Sequence, residues 1–150
     1  MMQPIVSRLQ QIVQDYAPLL KQLPASKFAD KPLPGKWSKK ETLGHLIDSA
    51  QNNIRRFIVA QYEESPVITY AQDSWVAISN YQQYDPNDLV ELWILINKHV
   101  QAILASPGFD PAKTCITGER HNLEWIAEDY IKHLLHHLHQ VLDLEPIAYP

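Results

Sequence analysis

The chain has 150 residues, of which 45% are hydrophobic and 20% are charged, and this suits a single domain over residues 1–150 with a buried core. A net charge of −4 without a block of Lys or Arg argues against nucleic-acid binding. Only one cysteine, Cys115, occurs, which excludes an internal disulfide and favours a reducing compartment. No apolar run is long enough to cross a bilayer. The amphipathic N-terminus lacks the core of a signal peptide, so we expect a cytoplasmic protein.

The first predicted helix covers residues 4–23, where apolar side chains recur at helical spacing. Pro18 lies inside this pattern. Because proline has no amide hydrogen and crowds the preceding turn, we expect a kink or an interruption there. A proline-rich link over residues 24–37 follows.

The second predicted helix covers residues 38–62 and begins with a capping box, in which Ser38 and Glu41 satisfy each other's amides. One side of this helix is apolar, while the other carries His45 and Asp48. This polar side is either a solvated surface or the wall of a wet cleft.

A long, aromatic-rich connection over residues 63–84 leads to the third predicted helix, residues 86–105, which Asp85 caps. Such a connection is long enough to cross the molecule, so the second and third helices are expected to run parallel. After a link over 106–121, the fourth helix spans residues 122–144 with Asn122 as its cap. The pattern therefore predicts an all-α protein.

Four of the seven histidines lie within residues 133–139. His133 and His137 are four positions apart and share a helix face, so together they could bind one divalent ion; His136 and His139 point elsewhere. The zincin motif is excluded because Leu134 stands where that motif needs glutamate. A pair at this spacing is also common as a structural or surface feature, and a metal site needs a third ligand.

The other histidines are His45, His99 and His121. His99 fits a core or edge position of the third helix, and His121 could cap the fourth. His45 comes level with His137 if the second and fourth helices are antiparallel neighbours. This geometry favours a wet cleft on the polar side of the second helix.

Three blocks resemble the DinB-like superfamily, which includes the YfiT-type metal-dependent hydrolases. They are "PGKWSKKETLGHLIDSAQNNIRRF", "YAQDSWV" at 70–76 and "TGERHNLEWIAEDYIKHLLHHLHQV", and they stand in family order across nearly the whole chain. The resemblance implies a four-helix bundle with up-down-down-up topology and a long crossover between helices two and three. One departure is Gly44, where the family pattern has another histidine.

The resemblance also implies a metal site made of His45, His133 and His137, with nickel or zinc and water at open positions. Members of the family are hydrolases, or transferases that attach low-molecular-weight thiols to small electrophiles, and many have no established activity. Three neutral imidazoles would leave the ion doubly positive, which lowers the pKa of a bound water or thiol. A bundle that binds a metal or ligand without turnover, and a purely structural bundle with scattered histidines, are the alternatives.

Ligand imidazoles usually donate their second N–H to a neighbouring acceptor. Asp48, Asp129 and Gln140 are the candidates for this supporting role, although each could instead be a solvated or capping residue. The crossover aromatics either line a pocket or pin the loop, and they are Tyr70, Trp75, Tyr81 and Tyr84. Cys115, a lone loop cysteine, is not expected to be a nucleophile.

We further expect a homodimer. The first and third helices have wide apolar faces, and Trp93 lies on the second of these. Part of this apolar surface is more than a four-helix core can bury, and exposed patches of that kind usually mark interfaces.

Overall fold

The computed structural model describes residues 2–150, in which four long helices form a bundle and shorter elements occupy the connections. The elements are α1 (Gln3–Gln22), α2 (Ala25–Ala29), α3 (Lys39–Tyr62), α4 (Gln72–Ser79), a 3₁₀ turn (Tyr81–Gln83), α5 (Pro86–Leu104), β1 (Thr114–Ile116), β2 (Arg120–Asn122) and α6 (Leu123–Val141). Within residues 2–150, no helix combines the length and the apolar character that crossing a membrane requires.

The four long helices agree closely with the prediction, and their starts agree best because the caps are local. Ser38 Oγ accepts from the Glu41 amide at 3.0 Å, and Glu41 Oε1 accepts from the Ser38 amide at 3.1 Å. Asp85 likewise accepts from the amides of Asn87 and Asp88 at 2.9 and 3.0 Å. Both predicted N-caps are confirmed.

Two helix features differ from the prediction. Helix α1 continues through Pro18 to Gln22, so of the two expected effects of this proline the interruption does not occur. Helix α6 ends at Val141, earlier than the expected end at residue 144. There Asp143 adopts a φ of 53°, and the Leu144 amide donates to the His139 carbonyl at 2.9 Å. This left-handed C-terminal cap stops the helix.

Cross-helix contacts give the direction of α6 relative to α1 and α3. Along α1, Arg8 pairs with Glu128 at 3.2 Å, whereas the later Tyr16 contacts the later His139 at 2.6 Å, so α1 and α6 run parallel. At the start of α3, Lys39 Nζ reaches the carbonyl of Gln140, near the end of α6, at 3.1 Å. Helices α3 and α6 are therefore antiparallel neighbours.

Helices α3 and α5 run parallel, as the long crossover between them predicts. Tyr81, just before α5, donates to Asp48 in the first half of α3. Phe109, just after α5, packs edge-on against Phe57 near the end of α3, with ring centroids 6.0 Å apart. The bundle therefore has the up-down-down-up topology.

The link over residues 106–121 contains an antiparallel hairpin of β1 and β2, which the sequence did not reveal. Strands of three residues are too short to show an alternating pattern. The crossover joins this hairpin, because the Ile68 amide donates to the Ile116 carbonyl at 3.0 Å. Between them Cys115 is fully buried, with its thiol 3.2 Å from the Pro66 carbonyl, which suits a packing role.

The core fills the space between the four long helices. Its largest fully buried side chains are Trp93, Phe28, Phe57, Leu9, Leu20, Leu43, Leu46, Ile47, Leu89, Leu123, Ile131 and Leu134.

The homodimer stays a prediction. Trp93 is buried inside one bundle, and the apolar side chains that α1 and α5 leave exposed include Leu19 and Leu95, at 41% and 54%. Light scattering at micromolar concentration should give twice the mass of the 17.3 kDa chain. A monomeric mass would contradict dimerisation.

Candidate metal centre

The polar side of α3 is buried, so its reading as a solvated surface is wrong. Its buried polar residues are Thr42, His45, Asp48, Ser49, Asn52 and Asn53. Several bond back to the carbonyl four residues earlier: Thr42 Oγ1 at 3.0 Å, Asn52 Nδ2 at 2.9 Å and Asn53 Nδ2 at 2.8 Å. These bonds satisfy polar groups locally, which allows the face to be covered by other elements.

His45, His133 and His137 lie together where α3 meets α6. One ring nitrogen from each lies within 4.8 Å of the others. The Nε2 atoms of His45 and His133 are 3.1 Å apart, and the ring centroids of His133 and His137 are separated by 4.6 Å. The antiparallel packing of the two helices thus brings a residue from the first half of α3 level with the end of α6.

This arrangement suits one divalent ion. Two imidazole nitrogens that bind the same ion at about 2.0–2.1 Å lie roughly 3–3.4 Å apart. The separation of 3.1 Å between the Nε2 atoms of His45 and His133 falls in that range. In addition, the buried Nδ1 of His45 has no hydrogen-bond partner among residues 2–150.

The three rings are neutral near pH 7. Burial, followed by the neighbouring histidines, lowers the pKa of His133 to about 3 and that of His45 to about 4. Burial also lowers the pKa of His137, although its contact with Gln140 opposes this effect. Because neutral imidazoles keep a lone pair, the cluster can bind a cation without first losing protons.

Of the three predicted supporting residues, Gln140 contacts a cluster histidine. Its Oε1 accepts from His137 Nδ1 at 2.8 Å, which leaves Nε2 of that ring as the free ligand atom. Asp48 and Asp129 make no hydrogen bond to the three histidines within residues 2–150. Each accepts instead from a tyrosine: Asp48 from Tyr81 at 2.5 Å and Asp129 from Tyr149 at 2.9 Å.

Tyr81 covers the buried face of α3 and explains Gly44. A Cβ built on Gly44 would overlap the Tyr81 ring, so the close approach of the crossover requires glycine there. Behind the ring, Asp48 Oδ2 is buried without a partner among the described residues. Burial raises the pKa of Asp48 to about 6, partly offset by the bond from Tyr81, and also raises the pKa of Tyr81.

Asp48→Asn should stabilise the metal-free protein more at pH 7.5 than at pH 4.5. The pKa of Asp48 is raised from 3.8 to about 6. The protonated carboxyl therefore contributes fully to the free energy of unfolding below pH 3.8, and this contribution is lost as the pH rises through 6. Between pH 4.5 and 7.5 this amounts to about 2 kcal/mol. Urea unfolding at both pH values measures it, with Asp30→Asn, at an exposed position, as the control. A stabilisation independent of pH would contradict the prediction.

The remaining histidines lie outside the cluster. His136 and His139 contact the C-terminal segment, with their Nδ1 atoms 2.5 and 2.7 Å from the carbonyls of Ile147 and Glu145. His121 stacks on Trp125 with centroids 3.5 Å apart, and the cap of α6 is Asn122. His99 is exposed, so its expected core or edge position is wrong.

A cleft of about 220 Å³ adjoins the cluster at His133. Its lining consists of Ser49, Asn53, Arg56, Tyr70, Gln72, Thr117, Trp125, Ile126, Asp129, Tyr130, His133 and Tyr149. Of the four crossover aromatics, Tyr70 lines this cleft, while Trp75 packs against the Tyr70 ring at 5.9 Å. Tyr81 and Tyr84 contact each other away from the lining. The sequence does not predict that Tyr149 lines this cleft, because Tyr149 lies beyond the end of α6, where no helical spacing indicates its position.

Comparison with known proteins agrees with this architecture. The chain is similar to YfiT from Bacillus subtilis, described as a probable metal-dependent hydrolase with an unusual four-helix bundle topology. The two structures align with a TM-score of 0.75 and 21% identity, over 92% of this chain and 84% of YfiT. No curated protein sequence matches the chain. The model of the DinB superfamily matches residues 8–141. The chain therefore belongs to the DinB superfamily.

Proposed function

We propose that this protein is a metal-dependent enzyme that acts on a small molecule, with His45, His133 and His137 holding a divalent ion. The observation that carries the proposal is the convergence of one nitrogen from each of these buried or half-buried histidines within 4.8 Å. The adjoining cleft supplies space for a substrate. The similar fold of YfiT, itself described as a probable metal-dependent hydrolase, supports the same reading.

The surrounding residues hold the three imidazoles in place. Gln140 orients His137 through its Nδ1, and the Trp37 ring packs on His45 with centroids 4.9 Å apart. Tyr149 packs edge-on against His133, with ring centroids 5.2 Å apart. When bound, a divalent ion would lower the pKa of a water or thiol ligand and so supply a nucleophile near neutral pH. Nickel or zinc fits a site of three imidazoles.

Elemental analysis tests the metal assignment directly. The protein is purified without a histidine tag, because a tag would bind metal itself. About one equivalent of nickel or zinc per chain is expected, either as purified or after loading and gel filtration. Failure to retain any divalent ion after loading would overturn the proposal.

A second candidate function, metal or ligand binding without turnover, is favoured by one observation. The carboxylates near the site, Asp48 and Asp129, accept hydrogen bonds from tyrosines, and neither forms a hydrogen bond with the three histidines in residues 2–150. Turnover separates the two functions. Metal-loaded protein is assayed with a chromogenic ester, and with a low-molecular-weight thiol plus an electrophile. An enzyme accelerates one of these reactions and loses that rate in His133→Ala.

A further inference from the structure

The cleft beside the three histidines contains an arginine, Arg56, that forms no ion pair among residues 2–150. One face of α3 lines the cleft with Ser49, Asn53 and Arg56, which follow one another at helical spacing. From α6, His133 also lines the cleft. The same helix carries His45, eleven residues before Arg56, which places these two positions about 16 Å apart along the axis. The metal cluster and the arginine therefore belong to two ends of one continuous polar surface.

The guanidinium is held firmly but is not saturated. Its Nε donates to the Ile68 carbonyl at 3.1 Å, and Nη1 donates to Asn53 Oδ1 at 3.3 Å. The Tyr70 ring lies beside it, with the guanidinium carbon 5.8 Å from the ring centroid. A guanidinium has five N–H donors, so three are left without an acceptor among residues 2–150. These remaining donors include both N–H groups of Nη2.

No carboxylate among residues 2–150 forms an ion pair with Arg56, although the charge of Asp129 favours the charged guanidinium from a longer distance and so opposes the lowering of its pKa by burial. The ion pairs among the described residues all involve other side chains. Asp129 lines the same cleft, but it accepts from Tyr149 and lies beyond ion-pair distance of the guanidinium. Charges that are partly removed from water are usually paired, and a fixed guanidinium fork fits a carboxylate with two parallel hydrogen bonds. A carboxylate of a ligand could therefore supply the acceptor that the Nη2 donors lack.

We infer that Arg56 binds a carboxylate group of the substrate, whose reacting end lies toward His133, the histidine of the cluster that lines the same cleft. The reacting end rests on the proposed function, whereas the carboxylate site rests on the unpaired guanidinium alone. A carboxylate is favoured over a phosphate because Asp129 lines the same cleft and would repel a second negative charge. The volume of about 220 Å³ limits the ligand to a small organic acid. Tyr70, Trp125 and Tyr149 provide aromatic walls for its carbon skeleton.

The test compares benzoate with benzamide, a neutral ligand of nearly the same shape. Both are titrated into metal-free protein, and binding is followed by calorimetry and by the NMR signal of the Arg56 Nε–H. Charge-assisted hydrogen bonds of this kind correspond to about 10- to 100-fold in affinity, so benzoate should bind at least about ten-fold more tightly. Phenyl phosphate is titrated in parallel and should bind more weakly than benzoate.

Arg56→Gln should abolish the preference for benzoate over benzamide, and Arg56→Lys should keep part of it, because lysine retains the charge without the fork. Asp129→Asn should strengthen benzoate binding and leave benzamide binding unchanged, so the proposal stays testable even if Arg56→Gln fails to fold. Equal binding of the two ligands by the natural chain, or a preference that survives in Arg56→Gln, would overturn the inference. Tighter binding of phenyl phosphate than of benzoate would also overturn it. None of these titrations contains a metal, so their outcome is independent of elemental analysis.

Discussion

His137→Ala should weaken the binding of Zn²⁺ or Ni²⁺ by more than about 100-fold, because loss of a supporting residue alone costs about 10- to 100-fold. His136→Ala should leave the affinity within about three-fold. The two histidines are adjacent on α6, and both are half-buried. They differ in direction, since His137 joins the three-histidine cluster while Nδ1 of His136 faces the carbonyl of Ile147. Calorimetric titration in the presence of a competing chelator measures both constants.

His45→Ala should weaken metal binding as much as His137→Ala does, because in the proposed site each histidine would supply one of three ligands, from opposite helices. Gln140→Ala should weaken metal binding by about ten-fold, which lies between the effects of His136→Ala and His137→Ala. Gln140 accepts from His137 at 2.8 Å and orients that ring, but it is not a member of the cluster. Metal-free samples of each variant are compared by thermal unfolding first, so that a folding defect is not read as a binding defect. Equal losses in His136→Ala and His137→Ala would count against the assignment of the cluster.

The parts of the fold that sequence could predict are those that depend on neighbours along the chain. Ser38 with Glu41, and Asp85 with the amides that follow it, determine where α3 and α5 begin. The pairing of His133 with His137 follows from helical spacing in the same way. Placing His45 beside them needs the topology as well, because it depends on α3 and α6 being antiparallel neighbours. The family resemblance supplied that topology before the structure did.

The parts that sequence could not predict depend on segments distant along the chain. The polar side of α3 reads as a solvated surface until Tyr81, 33 positions after Asp48, is seen to cover it. Tyr149 and Arg56 meet at the cleft only after the tail and the crossover are in place. The hairpin of β1 and β2 is too short to have a period of its own. Each of these features lies at or near the candidate site, where local patterns are least informative.

The contact between Gly44 and Tyr81 gives the last prediction, which concerns how the crossover closes over α3. Replacing a helical glycine with alanine ordinarily stabilises a helix by about 1 kcal/mol. At Gly44 the added Cβ would instead overlap the body of the Tyr81 ring, which is buried and held by its bond to Asp48. The ring therefore cannot swing away without losing that bond.

Gly44→Ala should destabilise the protein by about 2–3 kcal/mol, since overpacking in a closed core costs more than the helix gains. In a Tyr81→Ala background the ring is gone, so the same change should become neutral or stabilising by up to about 1 kcal/mol. Gly108→Ala serves as the control, because a Cβ there meets nothing within 4 Å. Urea unfolding of the four members of the cycle measures the coupling. If Gly44→Ala costs the same with and without the Tyr81 ring, the crossover does not close over α3 through this contact. The expected coupling free energy between Gly44→Ala and Tyr81→Ala is about 2–4 kcal/mol, which is large for one added methyl group.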